Sequence, residues 1–394
     1  MPTEAAFFFA GLLFVAAALG YVFARLGQLE DDDRGSSGLD YVRGLKFLLK
    51  EQPDRALEAL TGAGELDDDT VETHFALGQL FRKRGEVERA IRVHRDLMDR
   101  PNLKRPEREK AQFALADDYL SAGLFDRAET LLSELRQSPR QGILALRRLI
   151  RLSELTREWE RAIELHGELE QADRSASMSC VVAHYLCELA EQARQAKDLV
   201  RASMWLDRAD KGKQDTARVL LLRAAVAADA GDHNLAIKCY QRAAEREPSL
   251  LVDVLPKLSA ACKAGGREDE FSTFLVAIVR KDPKAARAIA FATMMEPGIR
   301  DPLAIQCLWD FVGADATLQA LVDGGRLQAS SDAERAAALE RVRGALRSMA
   351  TSGRAYRCLE CGYSSISLQW QCPGCGAWDT VRPKVRLAFE SGDR

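Results

Sequence analysis

Four cysteines near the carboxyl end carry a spacing that points directly to chemistry. Cys358 and Cys361 form one C-x-x-C pair, Cys372 and Cys375 a second, and ten residues lie between the pairs. Each pair is followed by glycine, Gly362 and Gly376, and Pro373 stiffens the second turn. A chain that turns tightly at such a knuckle can aim backbone N–H groups at thiolate sulfurs, and glycine permits the turn. Four thiolates at this spacing can surround one metal ion tetrahedrally, and both zinc and iron suit a cage of four sulfurs. The expectation is one four-thiolate metal ion, zinc or iron, in a module spanning 354–382. The competing arrangement, two disulfides, is disfavoured under reducing conditions. A module of about 25 residues has little apolar core, so the metal must supply much of its stability. Tyr356, Tyr363, Trp370 and Trp378 are expected to be that small core, or a surface that docks on the rest of the chain.

Other reactive residue types have plainer readings. Cys180, Cys187, Cys239, Cys262 and Cys307 show no C-x-x-C spacing and are expected to be small buried hydrophobes. His74, His94 and His166 fall at helix-packing positions, which makes them core histidines. The sequence contains no P-loop, no G-x-S-x-G, no H-E-x-x-H and no G-x-G-x-x-G. No catalytic residue and no organic cofactor site is expected, and the chain reads as a non-enzyme.

The elements that must carry the thiol module repeat. Ala56, Ala90, Ala128, Ala162, Ala202, Ala236, Glu270 and Ala304 are separated by 34, 38, 34, 40, 34, 34 and 34 residues. Twelve residues upstream lie Gly44, Gly78, Ala116, Ala190, Ala224 and Ala292, with Ile150 and Leu258 as exceptions. Small residues at these positions let two helices cross closely. Gly85, Gly123, Gly231 and Gly265 fall where the chain turns between helices. Pro101, Pro139, Pro248 and Pro283 end the second helix of a pair. A period of 34 residues resembles the tetratricopeptide repeat, a helix–turn–helix unit. Eight units run from Leu39 to Phe311, and a ninth, degenerate one is counted from Ala314 to Ala350. Stacked units of this family form a superhelix whose groove holds a peptide or protein. The first helices line that groove, which makes Arg82, Lys83, Arg147 and Arg151 candidate partner contacts.

The amino end is of a different kind. Residues 5–24 read AAFFFAGLLFVAAALGYVFA, without charge or proline. As a helix, 20 residues would span about 30 Å, the thickness of a bilayer's hydrocarbon core. The preceding Met-Pro-Thr-Glu lacks the positive charge of a signal peptide. A transmembrane anchor is therefore expected at 5–24, after a short tail at 1–4 and before a polar linker at 25–38. Arg25, Arg34, Arg43 and Lys46 place the bulk of the chain in the cytoplasm by the positive-inside tendency. The fold class expected is all-α: an anchor, a repeat superhelix over 39–350, the small metal module, and a tail at 383–394.

Composition sets the remaining bounds. The 394 residues suggest two or three globular domains by length alone, and 47% hydrophobic residues allow a large core. A formal net charge of −3 argues against a nucleic-acid binder. Residues 354–394 hold six basic and four acidic residues, a balance of only +2.

The knuckles C-x-x-C-G-Y and C-P-x-C-G look like those of rubredoxins, which carry iron, and of zinc ribbons. The spacer is much shorter than in a free-standing rubredoxin, which weighs against an electron carrier. The whole chain resembles the lipopolysaccharide assembly protein B family. The residues carrying the resemblance are DYVRGLKFLL at 40–49, LGQLFRKRGEVERAIRVHRDLM at 77–98, DYLSAGLFDRAE at 118–129 and YRCLECGYSSISLQWQCPGCGAW at 356–378. The resemblance implies an inner-membrane protein of a Gram-negative bacterium with its repeats in the cytoplasm. It implies an adaptor in the control of lipopolysaccharide synthesis that promotes degradation of the deacetylase LpxC by the membrane protease FtsH. It further implies regulation by an inner-membrane partner protein, four cysteine metal ligands, and a knuckle packed against the repeats. A homodimer is compatible with it. The rival readings are a generic envelope-assembly scaffold and a rubredoxin-like electron carrier fused to repeats.

Overall fold

A computed structural model describes residues 68–173, 179–211, 216–296, 298–314, 344 and 356–383. The expected anchor (5–24), linker (25–38), first repeat unit with Ala56, most of the ninth unit and the tail beyond 383 lie outside the described residues. Among the described residues, no helix is long and apolar enough to cross a membrane. The chain divides into two compact units, Met1–Arg157 with Gln171–Asp173, and Glu158–Glu170 with Arg174–Arg394.

The first unit contains α1 (Asp68–Lys83), α2 (Val87–Met98), α3 (Arg105–Ser121), α4 (Phe125–Leu135) and α5 (Gly142–Thr156). Each helix packs on the next. Ala90, Val93 and Leu97 of α2 and Phe81 of α1 are fully buried, spaced as one helix face requires. Gly78 shows why small residues recur: a Cβ there would overlap the imidazole of His94. The turn after α1 is a Schellman motif. Glu86 N–H donates to the Phe81 carbonyl at 2.9 Å and Gly85 N–H to the Arg82 carbonyl at 3.0 Å. Gly85 carries the left-handed φ of +81° that this motif demands.

The second unit contains α6 (Trp159–Ala172, save its last two residues), α7 (Ser179–Gln195), α8 (Leu199–Lys211), α9 (Ala217–Asp229), α10 (His233–Arg246), α11 (Leu251–Ala264), α12 (Glu268–Lys281), α13 (Ala285–Met295) and α14 (Pro302–Ala314). Three short strands follow: β1 (Tyr356–Cys358), β2 (Ser364–Ser365) and β3 (Val381–Pro383). The helices are tetratricopeptide-like pairs, and α7–α8, α9–α10, α11–α12 and α13–α14 each pack together. Ala190 with Ala202, Ala224 with Ala236, and Ala292 with Ala304 are completely buried at the expected positions.

One pair departs from the counted phase. The left-handed residue between α11 and α12 is Gly266 (φ +64°), not Gly265, which keeps helical angles as the cap of α11. The packing position is filled by buried Phe271, not by half-buried Glu270, which instead pairs with Arg267. Twelve residues before Phe271 lies buried Ser259, a small residue where Leu258 had looked like an exception. The frame slips by one residue here and is recovered at Ala304. In the turn between α7 and α8 the left-handed position is taken by Lys197 (φ +63°).

The five scattered cysteines divide. Cys187, Cys239, Cys262 and Cys307 are buried as expected, and burial pushes the Cys187 and Cys262 thiols up to about 11. Cys180, in the first turn of α7, is exposed instead. His74, His94 and His166 are buried.

Candidate metal centre and the face it docks on

The thiol module is a three-stranded antiparallel sheet with strand order β2-β1-β3. Cys358 pairs with Val381 across β1 and β3, and Arg357 pairs with Ser364 across β1 and β2. The first knuckle closes through Cys358 N–H to the Tyr363 carbonyl (2.7 Å) and Gly362 N–H to the Cys358 carbonyl (3.0 Å). The second repeats the pattern: Cys372 N–H to the Ala377 carbonyl (2.8 Å) and Gly376 N–H to the Cys372 carbonyl (2.8 Å). Gly362 and Gly376 take matching left-handed φ values of +75° and +74°. Gly374 is closely packed: a Cβ there would sit 3.3 Å from the Tyr363 Cβ and 3.4 Å from the Cys361 sulfur.

These turns bring all four Sγ atoms within 4.8 Å of one another. The Cys358–Cys375 sulfurs are 3.8 Å apart and the Cys361–Cys372 sulfurs 3.6 Å. A tetrahedral ion with metal–sulfur bonds of about 2.3 Å has sulfur–sulfur edges of about 3.8 Å. These two edges match those of a tetrahedral site, and the cluster suits one metal ion. Among the described residues it is the one group of three or more metal-ligating side chains so gathered. Cys358 and Cys372 are buried and Cys361 and Cys375 exposed, so one ligand of each knuckle lies inside and one at the surface.

Hydrogen bonds bias the sulfurs unequally. The Thr380 hydroxyl lies 3.3 Å from the Cys358 sulfur. It leads the backbone N–H groups of Cys361 and Glu360 in drawing that thiol down to about 6. At Cys361 the Tyr363 N–H favours the thiolate, but desolvation and the neighbouring sulfurs outweigh it and hold the thiol up at about 12. Four close thiols cannot all ionise without a cation between them, which is the electrostatic signature of a cation site.

The aromatic residues of the module mostly face the helices. Trp378 stacks on His184 (5.2 Å between ring centroids, 18° between planes). It also meets Tyr185 and Trp159 edge-on at 5.7 and 6.0 Å. The Arg218 guanidinium lies over both Trp370 and Trp378, at 5.4 and 5.6 Å from the ring centroids. It is fixed from behind by Glu188 (2.5 Å) and by the His184 carbonyl (3.3 Å). The Tyr356 hydroxyl donates to Asp253 (2.5 Å), and Arg382 reaches Glu247 at 3.5 Å. Tyr363 is 40% exposed and belongs to neither contact set. Of the four aromatics, then, Tyr356, Trp370 and Trp378 are docking residues.

Residue spacing explains the fit. His184, Arg218 and Asp253 are 34 and 35 residues apart, the extra residue being the slip at α11. They are one position of the repeat, on three successive first helices, each presenting one side chain to the module. None of the three was singled out from the sequence. Extending the 34-residue register from Arg218 reaches His184 but lands on Val252, one residue short of Asp253, and nothing in the sequence says that this face is covered. The four basic candidates lie in the first unit. Arg82 binds Asp118 at 2.6 Å, Arg147 pairs with Asp173 at 3.5 Å, Arg151 pairs with Glu154 at 2.9 Å, and Lys83 is exposed.

Burial, then the charges of Arg218 and Arg382, lower the His184 pKa from 6.5 to about 3. Between those values the unfolded chain binds a proton that the docked structure does not, so docking loses stability as pH falls from about 6.5 towards 3. Tryptophan emission should shift to the red between pH 7 and 4.5, and less steeply in His184→Gln. Identical pH profiles for the two proteins would rule His184 out as the source.

Helix pairs of tetratricopeptide type, joined to a four-thiol ribbon seated on their first helices, define a repeat scaffold with a built-in metal-binding module. Residues 356–383 match the model of the rubredoxin metal binding domain family. Lipopolysaccharide assembly protein B of Escherichia coli strain K12 is 31% identical over 377 residues, covering 94% of this chain and 96% of that protein. Its Haemophilus influenzae namesake is 28% identical over 399 residues, with the same coverage. Among solved structures, Pseudomonas aeruginosa pilF aligns at 18% identity over 54% of this chain and 92% of that chain, with a TM-score of 0.29. The chain belongs to the lipopolysaccharide assembly protein B family.

Proposed function

We propose that this protein is a membrane-anchored cytoplasmic adaptor that restrains lipopolysaccharide synthesis by presenting the deacetylase LpxC to the protease FtsH. The observation that carries this reading is identity along almost the entire chain with proteins named for lipopolysaccharide assembly. The helical repeats and the lack of a catalytic constellation in the sequence support a binding role rather than catalysis. The apolar run at 5–24 would hold the adaptor at the inner membrane, where confinement raises the effective concentration of a bound substrate beside a membrane protease. Arg82, Lys83, Arg147 and Arg151 would contribute to the partner surface, and an inner-membrane protein would regulate it. Cys358, Cys361, Cys372 and Cys375 would hold one zinc or iron ion, whose charge offsets the thiolates and whose bonds crosslink the two knuckles.

Depletion of the protein should lengthen the half-life of LpxC, measured by translation arrest and immunoblotting. An unchanged half-life would sink the adaptor reading. A purified chain showing reversible ferric-thiolate absorption bands would favour the electron-carrier reading instead.

A further inference from the structure

The second knuckle does two things with the same nine residues. It supplies two of the four thiols, Cys372 and Cys375, and it presents both docking indoles, Trp370 and Trp378, at its ends. The ends are tied by Asp379 N–H to the Trp370 carbonyl (2.8 Å) and by the bridge between Gln371 and Trp378. Beyond these backbone contacts, the module's own buried cluster is only Cys358, Cys372 and Val381, with Tyr356 packed against it. Little besides a metal can keep the two indoles at the separation that clamps Arg218.

The other side of the contact depends on that clamp. Arg218 is 6% exposed although it is charged, and its outward face is covered by the two indoles. His184, buried to 2%, lies beneath the same Trp378 ring. Around these two stand Glu188, Tyr185 and Trp159 from the helices, and Arg382 and Asp379 from the module.

We infer that metal occupancy of the four-thiol site controls whether the first-helix face of α7, α9 and α11 is covered. With metal bound, the knuckle is closed, both indoles seat, and Arg218, His184 and Asp253 are masked. Without it the knuckle opens, the indoles leave together, and three equivalent positions of successive repeats become available at once. This inference rests on the metal reading proposed above.

The test uses the full chain, kept reduced throughout. Metal content is measured as purified, after chelation, and after zinc is restored. Phenylglyoxal labelling of individual arginines is then read by peptide mass spectrometry. Arg218 labelling should rise about tenfold on chelation, corresponding to about 1.4 kcal/mol of lost docking, and fall again with zinc. Arg223 on the same helix, held by Asp207 and Asp210, and Arg148, held by Asp117, should not change. Trp378→Ala should expose Arg218 with metal still bound. Arg218 remaining protected in the stripped chain would overturn the coupling while leaving the metal site intact. Equal rises at Arg218, Arg223 and Arg148 would overturn it too, by showing general unfolding. A chain that takes up no metal at all would overturn the metal reading and this inference with it.

Discussion

Cys372→Ser is expected to release the metal and open residues 356–383 to proteases, while Cys180→Ser leaves both properties unchanged. Cys372 is 1% exposed and its sulfur lies 3.6 Å from that of Cys361. A serine hydroxyl is smaller and does not ionise near neutral pH, so the ion would keep three thiolates and an open position. Structural zinc contributes about 10–16 kcal/mol to folding in small domains. The three strands have three, two and three residues, and the buried core of the module holds one aliphatic side chain, Val381. Nothing of that size can replace the metal's contribution. The checks are the metal-to-protein ratio by elemental analysis and the position of the first tryptic cuts. An unchanged ratio together with unchanged cleavage would refute the ligand assignment.

The sequence showed the thiol cluster well, because two C-x-x-C turns are local and each needs only its own glycine. Helix pairing was legible for a related reason: a repeat reports each packing position several times over. The same repetition hid the slip at α11 and α12. Ala236, Glu270 and Ala304 are evenly spaced by 34, so counting passes through Glu270, whereas packing runs through Phe271 with spacings of 35 and 33. Glycine at both 265 and 266 removed the local signal that would have chosen between them. Of the docking face, the module's side was legible in Tyr356, Trp370 and Trp378, but its helix side, His184, Arg218 and Asp253, was not. Trp378 and His184 are far apart in sequence, and their contact depends on how the module sits, which no periodicity encodes.

Asp118→Ala is expected to loosen α1, α2 and α3 together, at a cost of about 3 kcal/mol, because it breaks a buried charged cluster. The Asp118 side chain is completely buried, with one carboxylate oxygen 2.5 Å from His94 Nδ1 and the other 2.6 Å from Arg82 Nη1. One residue of α3 thus ties α1 to α2. Removing the carboxylate strands the imidazole, whose Nε2 already has no hydrogen-bond partner against Gly78. Arg82 suffers less, since its side chain is 21% exposed and keeps the Ala114 carbonyl at 3.2 Å. Arg82→Met should therefore cost only about 1 kcal/mol. Tryptophan fluorescence would not report either change well: all five tryptophans, at 159, 205, 309, 370 and 378, lie outside the first unit. Amide hydrogen exchange does report it. Protection in α1–α3 should fall by about two orders of magnitude in Asp118→Ala, the factor equivalent to about 3 kcal/mol. Protection in α9–α13 should stay as it was, since repeat stability is a nearest-neighbour sum. Equal loss in both regions would mean that the array unfolds as one cooperative body. No loss in α1–α3 would mean that the Asp118 cluster contributes nothing net. The same measurement separates two roles for Arg82. If Arg82→Met weakens a partner contact more than the small change in α1–α3 protection explains, the guanidinium reaches the partner as well as Asp118.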